Sequence, residues 1–268
     1  MSLSQIKLIV SDLDGTLLNA NHQVSDEFFE LFKILKEKNI LFVAASGRPY
    51  YSMLEKLKVI KDDIIIVSEN GGLAIKQDHL LISNTFKKNS LTTISKLVVG
   101  LQDTHPVFCT KNKAYVISKS KKLLALLSEY YSNYDIIDDV SEITEDVYKI
   151  ALYHEESSEK YIYPSVKHLE QNFKVKVSAN HWVDISENIA NKGYAIKHIQ
   201  ELYNINESET MVFGDYNNDI EMLKLGHYSY AMDNAHPNVK TIANYLTKSN
   251  NEKGVEIVIK QLIDSLIN

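Results

Sequence analysis

One cysteine and four prolines are all that 268 residues contain of the two residue types that staple or stiffen a chain. A single thiol, Cys109, cannot close an internal disulfide, and in "VFCTK" it alternates like a small apolar strand residue, so it reads as packing rather than as a nucleophile. No low-complexity block, repeat or long Pro/Gly tract interrupts the sequence. Its 44% apolar and 24% charged residues are ordinary for a globular protein, which excludes disorder as the theme. The opening "MSLSQIKLIVSDLDG" is too short, and too soon broken by acid, for a signal peptide or a membrane span, so a cytoplasmic location is expected. Basic residues are not in excess: the formal charge of -6 argues against a nucleic-acid binder. It leaves room for an anionic small molecule, because lysines, an arginine or a metal reverse the field inside one pocket.

Nucleotide signatures are missing as well, with neither G-x-x-x-x-G-K-[ST] nor G-x-G-x-x-G present. No Cys/His cluster stands at ligand spacing, which argues against zinc. An EF-hand fails because the twelfth loop position counted from Asp12 is Gln23, not Glu, and a strand precedes the loop. "HEESS" at His154 is not H-E-x-x-H, and the histidines read as surface or packing residues.

What is present begins with alternation. Lys7 to Ser11 reads as a short buried strand, and Ser25 starts "SDEFFELFKILKEKN" with an N-cap, acids in the first turn and apolar residues at helical spacing. "ILFVAASGRPYYSMLEKLK" is a second strand and helix, and "DDIIIVSENGG" a third strand closed by glycines. Strands alternating with helices predict a doubly wound parallel sheet. From Leu91 to Ser186 the pattern becomes helix, hairpin ("PVFCTKNKAYVIS"), helix ("KKLLALLSEYYS"), strand ("VYKIALYH"), helix ("SEKYIYPSVKHLEQNF") and hairpin ("KVKVSANHWVDIS"). Paired hairpins with helices on one face describe an α+β layer. The alternation then resumes to the end of the chain. The expectation is an α/β, Rossmann-like core at 1–83 and 188–268, with an α+β domain inserted at 84–187.

Ligands of a parallel sheet sit beyond the carboxyl ends of its strands. Just past those ends stand Asp12 and Asp14, then Ser46, Gly47 and Arg48, and later Asp215, Asn218 and Asp219, while Lys192 opens the helix that re-enters the core. Carboxylates gathered there repel by about 4 kcal/mol per pair at 4 Å for an effective dielectric near 20, so a cation is needed. Oxygen ligands with room left for water and phosphate suit Mg²⁺. Asp12 can then act as a nucleophile on phosphorus, with Asp14 protonating the departing alcohol and later taking a proton from water. Gly15 permits the sharp turn that lets Asp14 reach past its neighbour.

"DLDGT" and "GDYNND", with Ser46 in "AASGR" and Lys192 in "NKG", resemble the four motifs of the haloacid dehalogenase superfamily of phosphohydrolases, in the correct order. The short span of about ten residues after Asp14 leaves no room for an insertion there, whereas roughly a hundred residues precede Lys192. This layout, with "SENGG", "VDISENIANKG" and the tail "AMDNAHPNVKTIANYLTKSNNEKGV", resembles the Cof-type branch with a C2B cap. The resemblance implies Asp12, the backbone carbonyl of Asp14, and Asp215 as Mg²⁺ ligands, Lys192 neutralising the phosphate and Asp219 orienting Lys192. It further implies phosphate held by Ser46, the amides of Leu13 and Gly47, and Asn218.

Arg48 is a candidate for the organic part of the substrate or else a surface ion pair. Trp182 either closes over a substrate or packs the cap, and Asn70 and Asn234 are candidates to approach the site. Asp233 stands where the family usually has glycine, which reads as a harmless loop substitution or as an acid that alters the pocket. The function expected is a Mg²⁺-dependent phosphatase of small phosphorylated metabolites, sugar phosphates first, in a monomer or weak homodimer without membrane partners. A phospholigand-binding regulatory protein with little turnover, and a phosphotransferase or mutase, are the alternatives.

Overall fold

Strand β1 (Leu8–Ser11) is buried at every residue, as a strand covered on both faces must be. This computed structural model describes residues 3–118, 120–131 and 133–267. Ser25 caps α1 (Asp26–Glu37), its Oγ accepting the Phe28 N–H at 3.1 Å, which satisfies a donor the first helical turn leaves open. Phe28, Leu31, Phe32 and Leu35 form the buried face of α1. The Phe28 and Phe32 rings meet Phe42 of β2 (Leu41–Ala45) at centroid separations of 5.2 and 6.1 Å. Next come α2 (Tyr50–Lys56), β3 (Ile65–Ser68), β4 (Leu73–Lys76) and β5 (His79–Ser83).

The middle of the chain supplies α3 (Lys88–Val99), β6 (His105–Cys109), β7 (Ala114–Val116), α4 (Lys121–Tyr130), β8 (Tyr134–Ile136) and β9 (Lys149–Tyr153). It continues with α5 (Ser158–Tyr161), α6 (Tyr163–Val166), β10 (Phe173–Ala179) and β11 (Trp182–Glu187). The last part holds α7 (Lys192–Tyr203), β12 (Thr210–Gly214), α8 (Ile220–Leu223), β13 (Tyr228–Ala231), α9 (Pro237–Ile242), β14 (Tyr245–Leu246) and α10 (Gly254–Ile267).

Contacts divide these elements into two units, one of Met1–Gly47, Leu54–Ile82 and Asn191–Asn268, the other of Arg48–Met53 and Ser83–Ala190. The first carries an eight-stranded sheet in the order β14-β13-β12-β1-β2-β3-β4-β5. It is parallel from β14 to β3, and β4 then pairs antiparallel to β3. The fold is thus α/β, with an antiparallel extension that the alternation of the sequence did not predict. After β1 the chain builds outward through β2 and β3, and on its return it fills the opposite side with β12, β13 and β14. Strand order therefore reverses at β12 and β1, the kind of position where open α/β sheets bind ligands.

The second unit has a six-stranded sheet, β10-β11-β9-β6-β7-β8, antiparallel except for β7 and β8. Its helices do not lie on one face, contrary to the sequence expectation. Ile94 and Val98 of α3 and Val166 of α6 pack with Phe108, Ile150 and Val183. Leu123 and Leu127 of α4 pack with Val107, Cys109 and Val116 on the other side. Successive strand residues point to opposite faces, and Pro106 to Cys109 are all buried, so both faces of β6 require cover. The helix expected over "SEKYIYPSVKHLEQNF" is broken into α5, α6 and a 3₁₀ segment, Lys167–Gln171. Pro164 lacks the N–H that would continue α5 and tolerates only the start of a new helix.

Candidate active site

Asp12, Ser46 and Asp215 each follow a parallel strand directly, after β1, β2 and β12, which are neighbours in the sheet. The register pairs Ser11 with Phe213 and with Ala44, so the three chain exits leave the sheet at one level. Asp12, Asp215 and Asp219 each place a carboxylate oxygen within 4.8 Å of the other two. No second group of three His, Cys, Asp or Glu side chains converges in this way among the described residues.

Into this cluster α7 sends its first side chain. Lys192 Nζ donates to Asp12 Oδ1 at 2.5 Å and to Asp219 Oδ1 at 2.7 Å, and its side chain is fully buried. The helix starts there because Asn191 Oδ1 accepts the Tyr194 N–H at 2.7 Å. Asp219 uses its other oxygen to accept the N–H groups of Asp215 and Tyr216 at 2.9 and 3.1 Å. It therefore ties the loop after β12 to Lys192.

Burial pushes the Asp12 carboxyl well above the usual carboxylate range; the Lys192 ammonium opposes this, and the carboxylates of Asp219 and Asp215 reinforce it. Burial and Asp219 push Asp215 up to about 6, against Lys192 and hydrogen bonds from Thr16 and Asp12. For Lys192 burial disfavours the ammonium, yet Asp12 and Asp219 outweigh it and the net shift is upward. Three acids gather about one internal lysine that bonds only Asp12 and Asp219, and their all-oxygen donor set fits a hard divalent cation.

Gly15 is forced by space as well as by backbone. Its φ is +77°, and a Cβ there would fall inside the Asp215 carboxylate. Thr16 Oγ1 reaches Asp215 Oδ1 at 3.3 Å. Three asparagines from the last part of the chain hold this loop by its backbone. Asn234 Nδ2 donates to Gly15 O at 2.8 Å, Asn250 Nδ2 to Leu18 O at 2.8 Å, and Asn251 Oδ1 accepts the Ala20 N–H at 2.8 Å. Thr16, Asn250 and Asn251 were missed from the sequence; the threonine of "DGT" was the available signal, while the asparagines carried none.

The remaining expected residues fall as follows. Ser46 and Leu13 are buried. Asn70, at φ 54°, donates its N–H to Ser46 O at 3.0 Å and accepts from Asn218 Nδ2 at 3.0 Å. A Cβ on Gly47 would lie 3.1 Å from the Asn70 amide, so Asn70 links Ser46, Gly47 and Asn218. Asp14 is half exposed and stands beside His22 rather than in the acidic trio.

Arg48 is 7% exposed, so it is not an open surface residue. Trp182 opens β11 in the second unit, its ring 5.1 Å from that of Tyr153 and 6.4 Å from that of Tyr131. Asp233 is exposed, outside left-handed backbone, with its carboxylate 3.8 Å from Lys240 Nζ.

An α/β core with acids at the carboxyl edge of its central strands, facing a lysine from a returning helix, defines a hydrolase class. The sequence matches the haloacid dehalogenase-like hydrolases over residues 9–259. The chain belongs to that family, in its Cof-type branch. It is 29% identical over 261 residues to 5-amino-6-(5-phospho-D-ribitylamino)uracil phosphatase YbjI of Escherichia coli, covering 96% of both chains. It is 27% identical to phosphatase YwpJ of Bacillus subtilis, covering 96% of this chain and 100% of that one. The structure of SMU.1108c from Streptococcus mutans superposes with a TM-score of 0.87 at 30% identity, over 97% of this chain and 99% of that one.

Proposed function

We propose that the protein is a Mg²⁺-dependent phosphatase of small phosphorylated metabolites, sugar and polyol phosphates foremost, that works through an aspartyl-phosphate. The carrying observation is the placement of Asp12 at 2.5 Å from a buried lysine and within the carboxylate trio. Asp12, Asp215 and the Asp14 carbonyl would hold Mg²⁺, which when bound offsets the charge of the phosphoryl group.

In the first step an oxygen of Asp12 bonds to phosphorus as the bond to the substrate oxygen breaks, and Asp14 gives its proton to the departing alcohol. In the second a water attacks phosphorus, Asp14 takes its proton, and the phosphorus–Asp12 bond breaks to release inorganic phosphate. Lys192, held by Asp219, supplies fixed positive charge beside Asp12, while Ser46, Asn218 and the amides of Leu13 and Gly47 hold phosphate oxygens. Phosphoryl transfer depends chiefly on such positioning and charge.

The name of the Escherichia coli relative places its phosphate on a ribityl chain, which supports a sugar-derived alcohol as leaving group. Residues 84–187 are read as a C2B-type cap that selects the substrate, with Arg48 and Trp182 as contacts to its organic part.

The test is phosphate release from hexose, pentose and polyol phosphates and from p-nitrophenyl phosphate, with Mg²⁺ or with EDTA. Mg²⁺-dependent turnover that Asp12→Asn lowers at least ~10³-fold is expected. Turnover that survives Asp12→Asn would rule out this nucleophile. Tight binding of a sugar phosphate without any release would establish the regulatory alternative.

A further inference from the structure

We infer that Asn70 is a further phosphate-binding residue, donating through Nδ2 to the oxygens that Ser46, Asn218 and the Gly47 amide hold; this rests on the phosphatase reading. A side-chain amide carries two N–H donors and an oxygen acceptor. The oxygen is occupied, because Asn218 Nδ2 donates to Asn70 Oδ1 at 3.0 Å. Nδ2 meets no acceptor among the described residues, and the residue is half-buried.

The amide stands at the sheet edge where the phosphate is held. In the order β12-β1-β2-β3, neighbouring strands lie about 4.8 Å apart, so roughly 14 Å separates β12 from β3. The Asn218–Asn70 bond joins the loops that follow these two strands, and the strands between them lead into Asp12 and Ser46. A Cβ on Gly47 would lie 3.1 Å from both Nδ2 and Oδ1 of Asn70. The amide therefore lies along the face of Gly47 that a side chain would otherwise fill.

The backbone holds the amide there under strain. Glu69, Asn70 and Gly71 have φ of 49°, 54° and 92°, three successive residues in a region that non-glycine residues seldom adopt and that recurs at functional sites. The Asn70 N–H donates to Ser46 O at 3.0 Å. A Cβ on Gly71 would collide with the Asn191 carbonyl, so the turn is pressed against the residue before Lys192. With its oxygen tied to Asn218, the amide plane is fixed and Nδ2 is left as a preorganised donor.

The probe is orthophosphate, its Kd measured by calorimetry with Mg²⁺ present. Asn70→Gly keeps the left-handed backbone and removes only the amide. It should weaken orthophosphate about tenfold, the scale of one hydrogen bond to a charged group. Asn70→Asp keeps an oxygen for Asn218 and tolerates the backbone, but it sets a carboxylate where the donor stood and should weaken binding more than Asn70→Gly does. In an Asn218→Ala background, Asn70→Gly should still weaken binding at least about threefold, since its own contact is lost.

If Asn70→Asp binds orthophosphate as well as Asn70→Gly or better, or if Asn70→Gly has no further effect in the Asn218→Ala background, the inference is overturned and Asn70 acts only by holding Asn218. Should Asn70→Asp fail to fold, the Asn218→Ala background decides alone. A wild-type protein without affinity for orthophosphate overturns the inference as well. One that binds orthophosphate yet releases none from any ester overturns the phosphatase reading, which is a separate outcome.

Discussion

Replacing Lys192 by methionine keeps a chain of similar length and removes the ammonium that stands 2.5 Å from Asp12 and 2.7 Å from Asp219. Hydrogen bonds to charged groups contribute roughly 1.5–3 kcal/mol each. Removing one partner of a buried pair costs about 3–5 kcal/mol. Since Lys192 and Asp219 are fully buried and Asp12 nearly so, Lys192→Met should lose about 3–5 kcal/mol at pH 7, or roughly 6–20 °C in Tm.

The sign of the pH dependence follows from the shifts. Lys192 has a raised folded pKa, so its stabilisation is fully present below the unfolded value and is lost only as pH rises through the folded one. Asp12 is also raised, and without Lys192 it rises further. On acidification Asp12 takes a proton, earlier in the variant than in the wild type, and a neutral Asp12 no longer depends on the ammonium, so the gap narrows as pH falls. The assay is thermal unfolding in EDTA at several pH values, for Lys192→Met and for Lys192→Met/Asp12→Asn. The double variant should regain about 1–3 kcal/mol relative to additivity, because it removes one of the stranded charges. A Tm within about 2 °C of wild type at pH 7, equivalent to less than about 1 kcal/mol, or a gap that widens on acidification would refute the reasoning.

Three further outcomes are expected. Mg²⁺ should raise the Tm, by the equivalent of about 2.7 kcal/mol at a hundredfold excess over Kd; the rise should be smaller at pH 5 than at pH 7.5, since Asp215 is pushed up to about 6, and Asp215→Asn should abolish it. Gly15→Ala should cost about 1–3 kcal/mol from its left-handed φ alone and should weaken Mg²⁺ binding by calorimetry, because the new Cβ displaces the Asp215 carboxylate. Glu27 is lowered to about 2 by hydrogen bonds from Lys253 and Lys260, so its contribution is present above its unfolded pKa and is lost as pH falls toward 2. Glu27→Gln should therefore cost no more than about 1 kcal/mol at neutral pH, with the difference from wild type vanishing in acid unfolding curves.

The sequence by itself determined the elements whose burial is periodic. The face of α1 made by Phe28, Leu31, Phe32 and Leu35, and the fully buried β1 and β3, were readable because helix and strand impose fixed repeats on apolar residues. The grouping of Asp12, Ser46 and Asp215 was readable for a related reason: adjacent parallel strands end at one edge, so residues just past them must be near each other. Short strands were harder to see. β8 has three residues, partly or fully exposed, and β4 and β5 lie beyond the glycines that close the third strand.

Only the tertiary structure decided how the site is held. Thr16 meets Asp215 across 199 positions, Asn234 meets Gly15 across 219 and Asn250 meets Leu18 across 232. A polar side chain bonded to a distant group has no periodicity and no local partner, so although Asn234 was a candidate to approach the site, neither its partner nor those of Thr16 and Asn250 were legible. The same holds for His22, whose place beside Asp14 comes from a left-handed turn that the sequence leaves unmarked by glycine. Which acids gather was thus written along the strands, while the distances between them, and the restraints that keep them, arise only when remote segments close over one sheet edge.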